Sequence, residues 1–264
     1  ENNCEQKNGE TFNKRTGKRV AAIIVVHVWG NACNFEKLIK ICKERNILII
    51  EDAAESLGTT YTSGDFKGKH TGTIGDFGCI SFNGNKIVTA GVGGAVLTAS
   101  EHSFKKVDYL SKQAKDDSFN YVHNEMGFNY RLSNINAALG LAQAENLKAI
   151  LVKKNEIHNL YKKYFKDNEK FKVMDTPDYA RNNNWLNILK VLSGNKDATL
   201  KKLNDSGIEA RPIWKLCHEQ EYLKHFEVIE ITNAIEQVNS CICLPSSVGL
   251  NEEDIKFISG VINE

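Results

Sequence analysis

No apolar run in the 264-residue sequence approaches the roughly 20 residues that a membrane-spanning helix needs. The longest candidate, Ala21 to Val28, has the length of a strand. Basic charge is not in excess. The 34 Lys and Arg face 33 Asp and Glu, a formal charge of +1, so nothing drives nonspecific binding to nucleic acid or to a membrane surface. The opening stretch, Glu1 to Arg19, is polar and mixed in charge; with no apolar h-region it does not read as a signal peptide. The seven cysteines contain no C-x-x-C pair, which argues against a zinc ribbon or a thioredoxin-type centre. No metal site is expected, and reduced thiols in a cytoplasmic protein are the preferred reading. Two nucleotide-binding motifs are also missing. Gly91-Val-Gly93-Gly94 lacks the G-x-G-x-x-G spacing and precedes a strand, and no G-x-x-x-x-G-K-[ST] occurs.

What is present suits an ordinary globular protein. The chain is 41% hydrophobic and 25% charged, enough apolar material for a sizeable core and enough length for about two domains. Disorder, collagen and coiled coil are excluded by composition. Ala21 to Val28 is continuous and β-branched, as in a strand buried on both faces. Phe35, Leu38, Ile39 and Cys42 follow at helical spacing, with Asn34 placed to cap. Ile47 to Ile50 is a second apolar run closed by Glu51-Asp52. Strand, helix and strand in this order predict a right-handed βαβ unit in a largely parallel sheet, hence an α/β fold. Further strands fit Gly78 to Phe82 and Ala95 to Thr98. From Ser133 the period predicts a long helix, continuing to Phe165. After it come a strand over Trp185 to Leu192, a helix over Ala198 to Asn204, a strand over Ile208 to Ile213, and a final helix from Asn251. Cys241 and Cys243 alternate as neighbours on one strand face would. The Asn182-Asn183-Asn184 run predicts a turn, and Tyr161, Tyr164 and Phe165 an apolar packing stripe. A boundary near residue 166 divides a large domain, 1–166, from a smaller α+β domain, 167–264.

In an open α/β sheet, ligands sit beyond the carboxyl ends of the strands. His27 ends the first run, Asp52 the second and Ser81 the third, and a Gly- and Asn-rich stretch with Lys86 follows. Taken singly, each has a bland reading: an Asp caps, a Lys is solvated, glycines turn.

Together these residues resemble the pyridoxal-phosphate-dependent nucleotide-sugar aminotransferases of the DegT/DnrJ/StrS type. The matching segments are Val26-His-Val-Trp-Gly-Asn31, Glu51-Asp-Ala-Ala-Glu-Ser56, Ser81-Phe-Asn-Gly-Asn-Lys86, Gly127-Phe-Asn-Tyr-Arg-Leu132 and Gly207-Ile-Glu-Ala-Arg-Pro212. They occur in the family's order over most of the chain. Gln113-Ala-Lys-Asp-Asp117 and Tyr121-Val-His-Asn-Glu125 look more particularly like enzymes that aminate a UDP-linked 4-keto sugar on the way to legionaminic acid or bacillosamine.

The resemblance implies a fold-type-I enzyme with a seven-stranded mixed sheet, a homodimer with a shared active site, and pyridoxal 5'-phosphate as cofactor. It implies that Lys86 forms the Schiff base, that Asp52 pairs with the pyridine nitrogen, and that Ala53 leaves room beside the ring. It implies that Ser81 bonds the cofactor phosphate, with Asn129 reaching it from the neighbouring subunit. Glu55 stands where relatives carry Gln or His near the ring oxygen. His27 is read either as a donor to Asp52 or as a satisfied core histidine. Arg131, Arg211, Trp214 and His218 are candidates for the substrate side, with salt bridges as the alternative for either arginine. The implied reaction moves an amino group from L-glutamate to C4 of a UDP-2-acetamido-4-keto-6-deoxy hexose for a surface glycan. A GDP-4-keto sugar, as in perosamine synthesis, and a non-catalytic regulatory protein are the alternatives. Lys86 argues against the family's dehydratases, which carry His at that position.

Two departures from the family pattern stand out. The N-terminal segment, which in relatives supplies sheet strands, a Gly-Thr phosphate turn and a ring-stacking aromatic, is not visible. The sequence is expected to be part of a longer protein, since Ala21 to Val28 is too apolar for an exposed edge; the alternative is a truncated product that cannot hold its cofactor well. Val92 also replaces a common glycine, so the loop geometry near Lys86 is expected to differ.

Overall fold

The computed structural model describes residues 2–264. The first half of the chain runs β1 (Cys4–Lys7), β2 (Glu10–Asn13), β3 (Ala22–Val26), α1 (Glu36–Glu44), β4 (Leu48–Asp52), β5 (Thr60–Tyr61), β6 (Phe77–Ser81), β7 (Gly94–Leu97), α2 (Glu101–Ser111), β8 (Lys115–Asp117) and β9 (Val122–His123). The second half runs α3 (Asn134–Glu145), α4 (Leu147–Tyr164), β10 (Phe171–Val173), β11 (Ala180–Arg181), β12 (Asn187–Val191), α5 (Lys196–Asp205), β13 (Arg211–Pro212), α6 (Thr232–Ser240), β14 (Cys241–Leu244) and α7 (Glu252–Asn263). These elements form two compact units. One takes the chain up to Ala149 and adds Thr176–Asn183; the other takes Ile150–Asp175 and Asn184–Glu264. The division falls within α4, whereas the sequence pattern places it near residue 166.

In the first unit a four-stranded sheet has the order β3-β4-β6-β7. β3, β4 and β6 are parallel and β7 is antiparallel. Among the described residues this sheet has four strands, not the seven that the resemblance implies. α1 covers one face through Phe35, Leu38, Ile39 and Cys42, which pack with Val25, Ile49 and Tyr61. Asn34 Oδ1 accepts the Glu36 N–H at 3.2 Å at the start of that helix. The opposite face is open: Ile24 is 65% and Val96 50% exposed. The expectation that Ala21 to Val28 is buried on both faces is therefore not met. Among the described residues β3 lies at the sheet edge with cover on one face, and strand alternation points Ile24 and Val26 outward.

Three further features differ from the sequence pattern. The polar start forms the β1–β2 hairpin, turned by Asn8 and Gly9 at φ 51° and 79°, the positive values that a two-residue hairpin loop requires. The Thr11 hydroxyl ties it down by donating to Arg45 O at 2.6 Å. The helix expected from Ser133 to Phe165 is two helices, broken at Asn146. The segments Gln113–Asp117 and Tyr121–Glu125 form the β8–β9 hairpin. There Asp116 Oδ2 accepts the Tyr109 hydroxyl at 2.9 Å and the Asn124 N–H at 2.8 Å.

The second unit is an antiparallel sheet in the order β10-β12-β14-β13, packed with helical residues of α4, α5 and α7. Ile157, Tyr161, Leu189, Leu203, Ile242 and Ile255 have no exposed surface, and each such aliphatic side chain contributes about 1.5–3 kcal/mol. Tyr161 and Phe165 belong to this core, as the apolar stripe predicts. Asn251 and Asp254 close a capping box on α7. The strand expected over Ile208 to Ile213 is reduced to Arg211–Pro212. Among the described residues no helix is long and apolar enough to cross a membrane, and no group of three potential metal ligands assembles.

Candidate active site

The site is built at the carboxyl ends of β4 and β6. Parallel pairing sets Val26 beside Asp52 and Asp52 beside Cys79, so the loops that leave these strands emerge together. Successive residues of β4 face opposite ways. Glu51 turns inward and is fully buried, while Asp52 is half-buried at the strand end.

Asp52 Oδ1 accepts the Ala54 N–H at 3.1 Å, which fixes the turn after β4. Ala53 has no exposed surface, and its N–H donates to Cys79 O at 2.9 Å. Glu55 follows on this turn. One carboxylate oxygen, Oε2, accepts the Trp29 N–H at 2.7 Å. The other, Oε1, lies 3.9 Å from Lys86 Nζ; the two side chains are 17% and 14% exposed. Burial pulls the Lys86 amine below the usual lysine pKa, while the charges of Glu55 and Asp52 oppose it. Burial pushes the Glu55 carboxyl up; the Trp29 N–H and Lys86 act against that shift, and Asp52 adds to it. Asp52, Glu55 and Lys86 thus form one electrostatic cluster. Ser81 ends β6, and its Oγ accepts the Asn83 N–H at 3.3 Å.

Not every residue picked from the sequence joins this cluster. His27 has no exposed surface, so it does not face a ligand. Its Nδ1 accepts the Cys33 N–H at 3.1 Å, which leaves Nε2 to donate to Glu51 Oε2 at 2.9 Å. Only its backbone N–H reaches Asp52, at the carbonyl oxygen. Of its two readings, donor to the Asp52 side chain and satisfied core histidine, the second is the one observed. Asn129 and Arg131 are exposed in the loop before α3. Arg131 lines an apolar groove of about 860 Å³ with Val92, Val96, Phe104, Phe128 and Leu132. Arg211, Trp214 and His218 belong to the second unit. There Arg211 pairs with Glu209, and Trp214 stacks on Trp185 at 5.9 Å between ring centroids. Val92 avoids the left-handed region, as a β-branched residue is expected to, and Gly91 and Gly93 take positive φ instead at 80° and 98°.

Sequence reasoning missed three contributors. Glu51 accepts four bonds: from His27, and from the amides of Gly72 at 2.7 Å and of Ile74 and Gly75 at 2.6 Å each. Burial raises its pKa, but these donors outweigh burial and hold the carboxyl below its ordinary value. Trp29 adopts φ 59° and ψ 13°, left-handed for a bulky residue, and its buried indole Nε1 finds no partner among the described residues. Asn183 is 1% exposed and binds the turn after β4. The Glu51-Asp52 pair was a usable signal for the first; Trp29 stood in a family-like segment and Asn183 in a turn-like run, but nothing local showed what either one holds.

The profile of the DegT/DnrJ/EryC1/StrS aminotransferase family matches residues 6–263. A Bacillus subtilis protein named "Putative pyridoxal phosphate-dependent aminotransferase EpsN" is 37% identical over 248 residues, covering 91% of this chain and 62% of that protein. The GDP-perosamine synthase of Caulobacter vibrioides is 31% identical over 250 residues, covering 93% of this chain and 66% of that protein. The crystal structure of a DegT DnrJ EryC1 StrS aminotransferase from Brucella abortus superposes with a TM-score of 0.84 at 26% identity, over 95% of this chain and 65% of that one. The chain therefore spans about two thirds of the length of the relatives it matches.

Proposed function

The chain belongs to the DegT/DnrJ/EryC1/StrS aminotransferase family, and we propose that it carries the site of a pyridoxal-phosphate-dependent aminotransferase acting on a nucleotide-linked 4-keto-6-deoxy sugar. The observation that carries this reading is the cluster itself: a shielded amine, Lys86, 3.9 Å from one carboxylate and within the field of a second.

The donor set fits the cofactor. An amine with a depressed pKa, a carboxylate at a strand end, a buried alanine and a strand-end hydroxyl are the groups an aromatic aldehyde with a phosphate arm requires. When bound, pyridoxal phosphate supplies an aldehyde and an electron-withdrawing ring that eases loss of a proton from an adjacent carbon. Lys86 would hold it through Nζ, and the same nitrogen would be the group placed to carry a proton, because burial makes the neutral amine accessible nearer to working pH. Asp52 offers a fixed negative charge to a protonated ring nitrogen. Ala53, enclosed beneath the turn after β4, would leave room beside the ring. Ser81 and, from a second copy of the chain, Asn129 would hold the phosphate. Glu55 faces the amine with a carboxyl that burial renders easier to protonate. The net reaction takes the amino group of L-glutamate, leaves 2-oxoglutarate, and places the nitrogen on C4 of the sugar. Arg131, Arg211, Trp214 and His218 are assigned to the substrate side.

A UDP-linked 2-acetamido sugar is favoured by the Gln113–Asp117 and Tyr121–Glu125 stretches, a feature of the legionaminic-acid type. A GDP-linked sugar is the second reading, favoured by the similarity to a GDP-perosamine synthase. Reconstitution with pyridoxal phosphate tests the proposal. The wild type should gain a visible absorption band that L-glutamate bleaches, and Lys86→Ala should gain none. A coupled assay with UDP- and GDP-4-keto sugars then separates the two substrates. An unchanged visible spectrum in Lys86→Ala overturns the role of Lys86, and no band in either protein overturns the reading itself.

A further inference from the structure

Asn183 lies 128 residues after Glu55 in sequence, yet its side chain is bonded to the turn that carries Glu55. Its amide nitrogen donates to Glu55 O at 2.8 Å and to Leu57 O at 3.0 Å. Its backbone N–H donates to Thr59 Oγ1 at 3.0 Å, and that hydroxyl donates in turn to Gly30 O at 2.8 Å. Thr59 has no exposed surface. Gly30, at φ 92°, packs so closely against Asn183 Oδ1 that a Cβ there would overlap it. Asn182 adds a bond from its amide to Asn31 Oδ1 at 2.6 Å. One returning strand end thus fastens two separate loops: residues 29–31, whose Trp29 N–H holds Glu55 Oε2, and residues 55–59, which carry Glu55.

The sequence shows this run only as a turn, and the function proposed above makes no use of it. The geometry makes it more than a turn. Both hydrogens of the Asn183 amide are spent on carbonyls of the Glu55 turn, and its oxygen sits against the residue that follows Trp29. Trp29 keeps a left-handed backbone, a conformation that persists only where the surroundings over-determine it. Asn183 is the buried group that bridges the Trp29 loop and the Glu55 turn.

We infer that Asn183 is a positioning residue for Glu55, fixing the carboxylate between the Trp29 amide and the Lys86 amine. The inference rests on Lys86 and Glu55 being the working cluster, but it does not need the cofactor for its test. Lys86 is faced by two carboxylates, Glu55 and Asp52, and both favour its charged form. If Asn183 sets the place of Glu55, loosening Asn183 and neutralising Glu55 should act on Lys86 in the same way and through the same path.

The pH dependence of Lys86 acetylation by acetic anhydride, followed by peptide mass spectrometry on the full 264-residue chain, reads this directly. Glu55→Gln should lower the midpoint by about one unit, the size expected on losing one nearby opposite charge. Asn183→Ala should lower it by a similar amount, and the double variant should go no lower than either, the non-additivity of coupled groups. Asn182→Ala, which removes a bond to Asn31 and a 3.5 Å contact with Thr59 Oγ1 but none to the Glu55 and Leu57 carbonyls, should lower the midpoint by less than Asn183→Ala. Asn183→Ser keeps one donor and serves as the gentler variant, with a smaller shift in the same direction. An unmoved midpoint in both Asn183 variants overturns the inference, as does a fully additive double variant or a Glu55→Gln protein with the wild-type midpoint. Failure to bind pyridoxal phosphate would sink the functional reading and leave this titration standing.

Discussion

Glu51 and Asp52 are adjacent on β4 and face opposite sides of the sheet, so one dipeptide supplies both a buried support and a carboxylate at the strand end. Glu51 has no exposed surface and gathers four hydrogen-bond donors. Asp52 lies half-buried at the strand end, where its charge acts on Lys86 and Glu55. The strand alternation that separates them also separates their roles, and substitutions at the two positions should fail in different ways.

Asp52→Asn keeps the shape and can still accept the Ala54 N–H, so thermal stability should change little. What it loses is the charge that the proposal assigns to a ring nitrogen. Turnover of the reconstituted enzyme should fall by about 10²-fold or more, the scale for removing one preorganised electrostatic partner. Steady-state kinetics beside a melting curve decides it; near-normal turnover would remove Asp52 from the role.

Glu51→Gln should do the reverse of Asp52→Asn and damage the fold first. Its amide group would meet N–H donors where the carboxylate now accepts them, at a cost of about 3 kcal/mol. The pH dependence follows from the sign of the shift. Burial raises the Glu51 pKa, but His27 and the three amides prevail and hold it below the ordinary 4.5. The unfolded chain therefore takes up the proton first as the pH falls. Stability is present above about pH 4.5 and is lost as the folded carboxyl titrates below it. Urea unfolding between about pH 6 and pH 3 should show a shallower loss in Glu51→Gln than in the wild type, and equal slopes would count against the assignment.

Much of this arrangement was legible in the chain. The apolar runs before His27 and Asp52 and the 35, 38, 39, 42 stripe predict β3, α1 and β4, because local period and tertiary burial agree there. Asp52, Glu55, Ser81 and Lys86 follow from family-like segments at strand ends. What was illegible depends on distance in sequence or on cover. His27 pairs with Glu51 rather than with the Asp52 side chain, a choice of strand face that a side-chain list does not reveal. The open face of β3 reads as apolar whether or not anything covers it. The first hairpin did carry a signal, since Asn8-Gly9 is the favoured two-residue turn, but its short polar strands masked it. Asn183 acts across 128 residues, which no local pattern encodes.

Val92→Gly tests the loop position at which the resemblance implies a glycine. The valine is 59% exposed and its neighbours Gly91 and Gly93 already carry the positive φ values. Glycine there should therefore relieve no strain. Stability should stay equal or drop by less than about 1 kcal/mol, the entropy of a freer unfolded chain. A gain in melting temperature, or a change in the spectrum of the reconstituted site, would show that Val92 strains the loop after all.

Lys154 offers a test confined to the second unit. Its ammonium is buried, donating to Trp185 O at 2.6 Å and Ser246 O at 2.5 Å. Burial lowers its pKa from 10.5 to about 8, so between those values the unfolded chain binds more protons than the folded one. Folding stability gains from this group as the pH rises through that window, by up to about 3 kcal/mol. Cys33, Cys42, Cys79 and Cys241, whose thiols burial holds above the ordinary 9.0, act in the opposite direction within that window, and Tyr61 and Tyr161 do so nearer pH 10, but these contributions are common to both proteins. The comparison is therefore best made from about pH 7.5 to pH 9.5 and as a difference between two proteins. Wild type minus Lys154→Met, followed by chemical denaturation, should rise across that range. A flat difference would mean that the ammonium keeps an ordinary pKa despite its burial, and that the two carbonyls, not desolvation, set its charge.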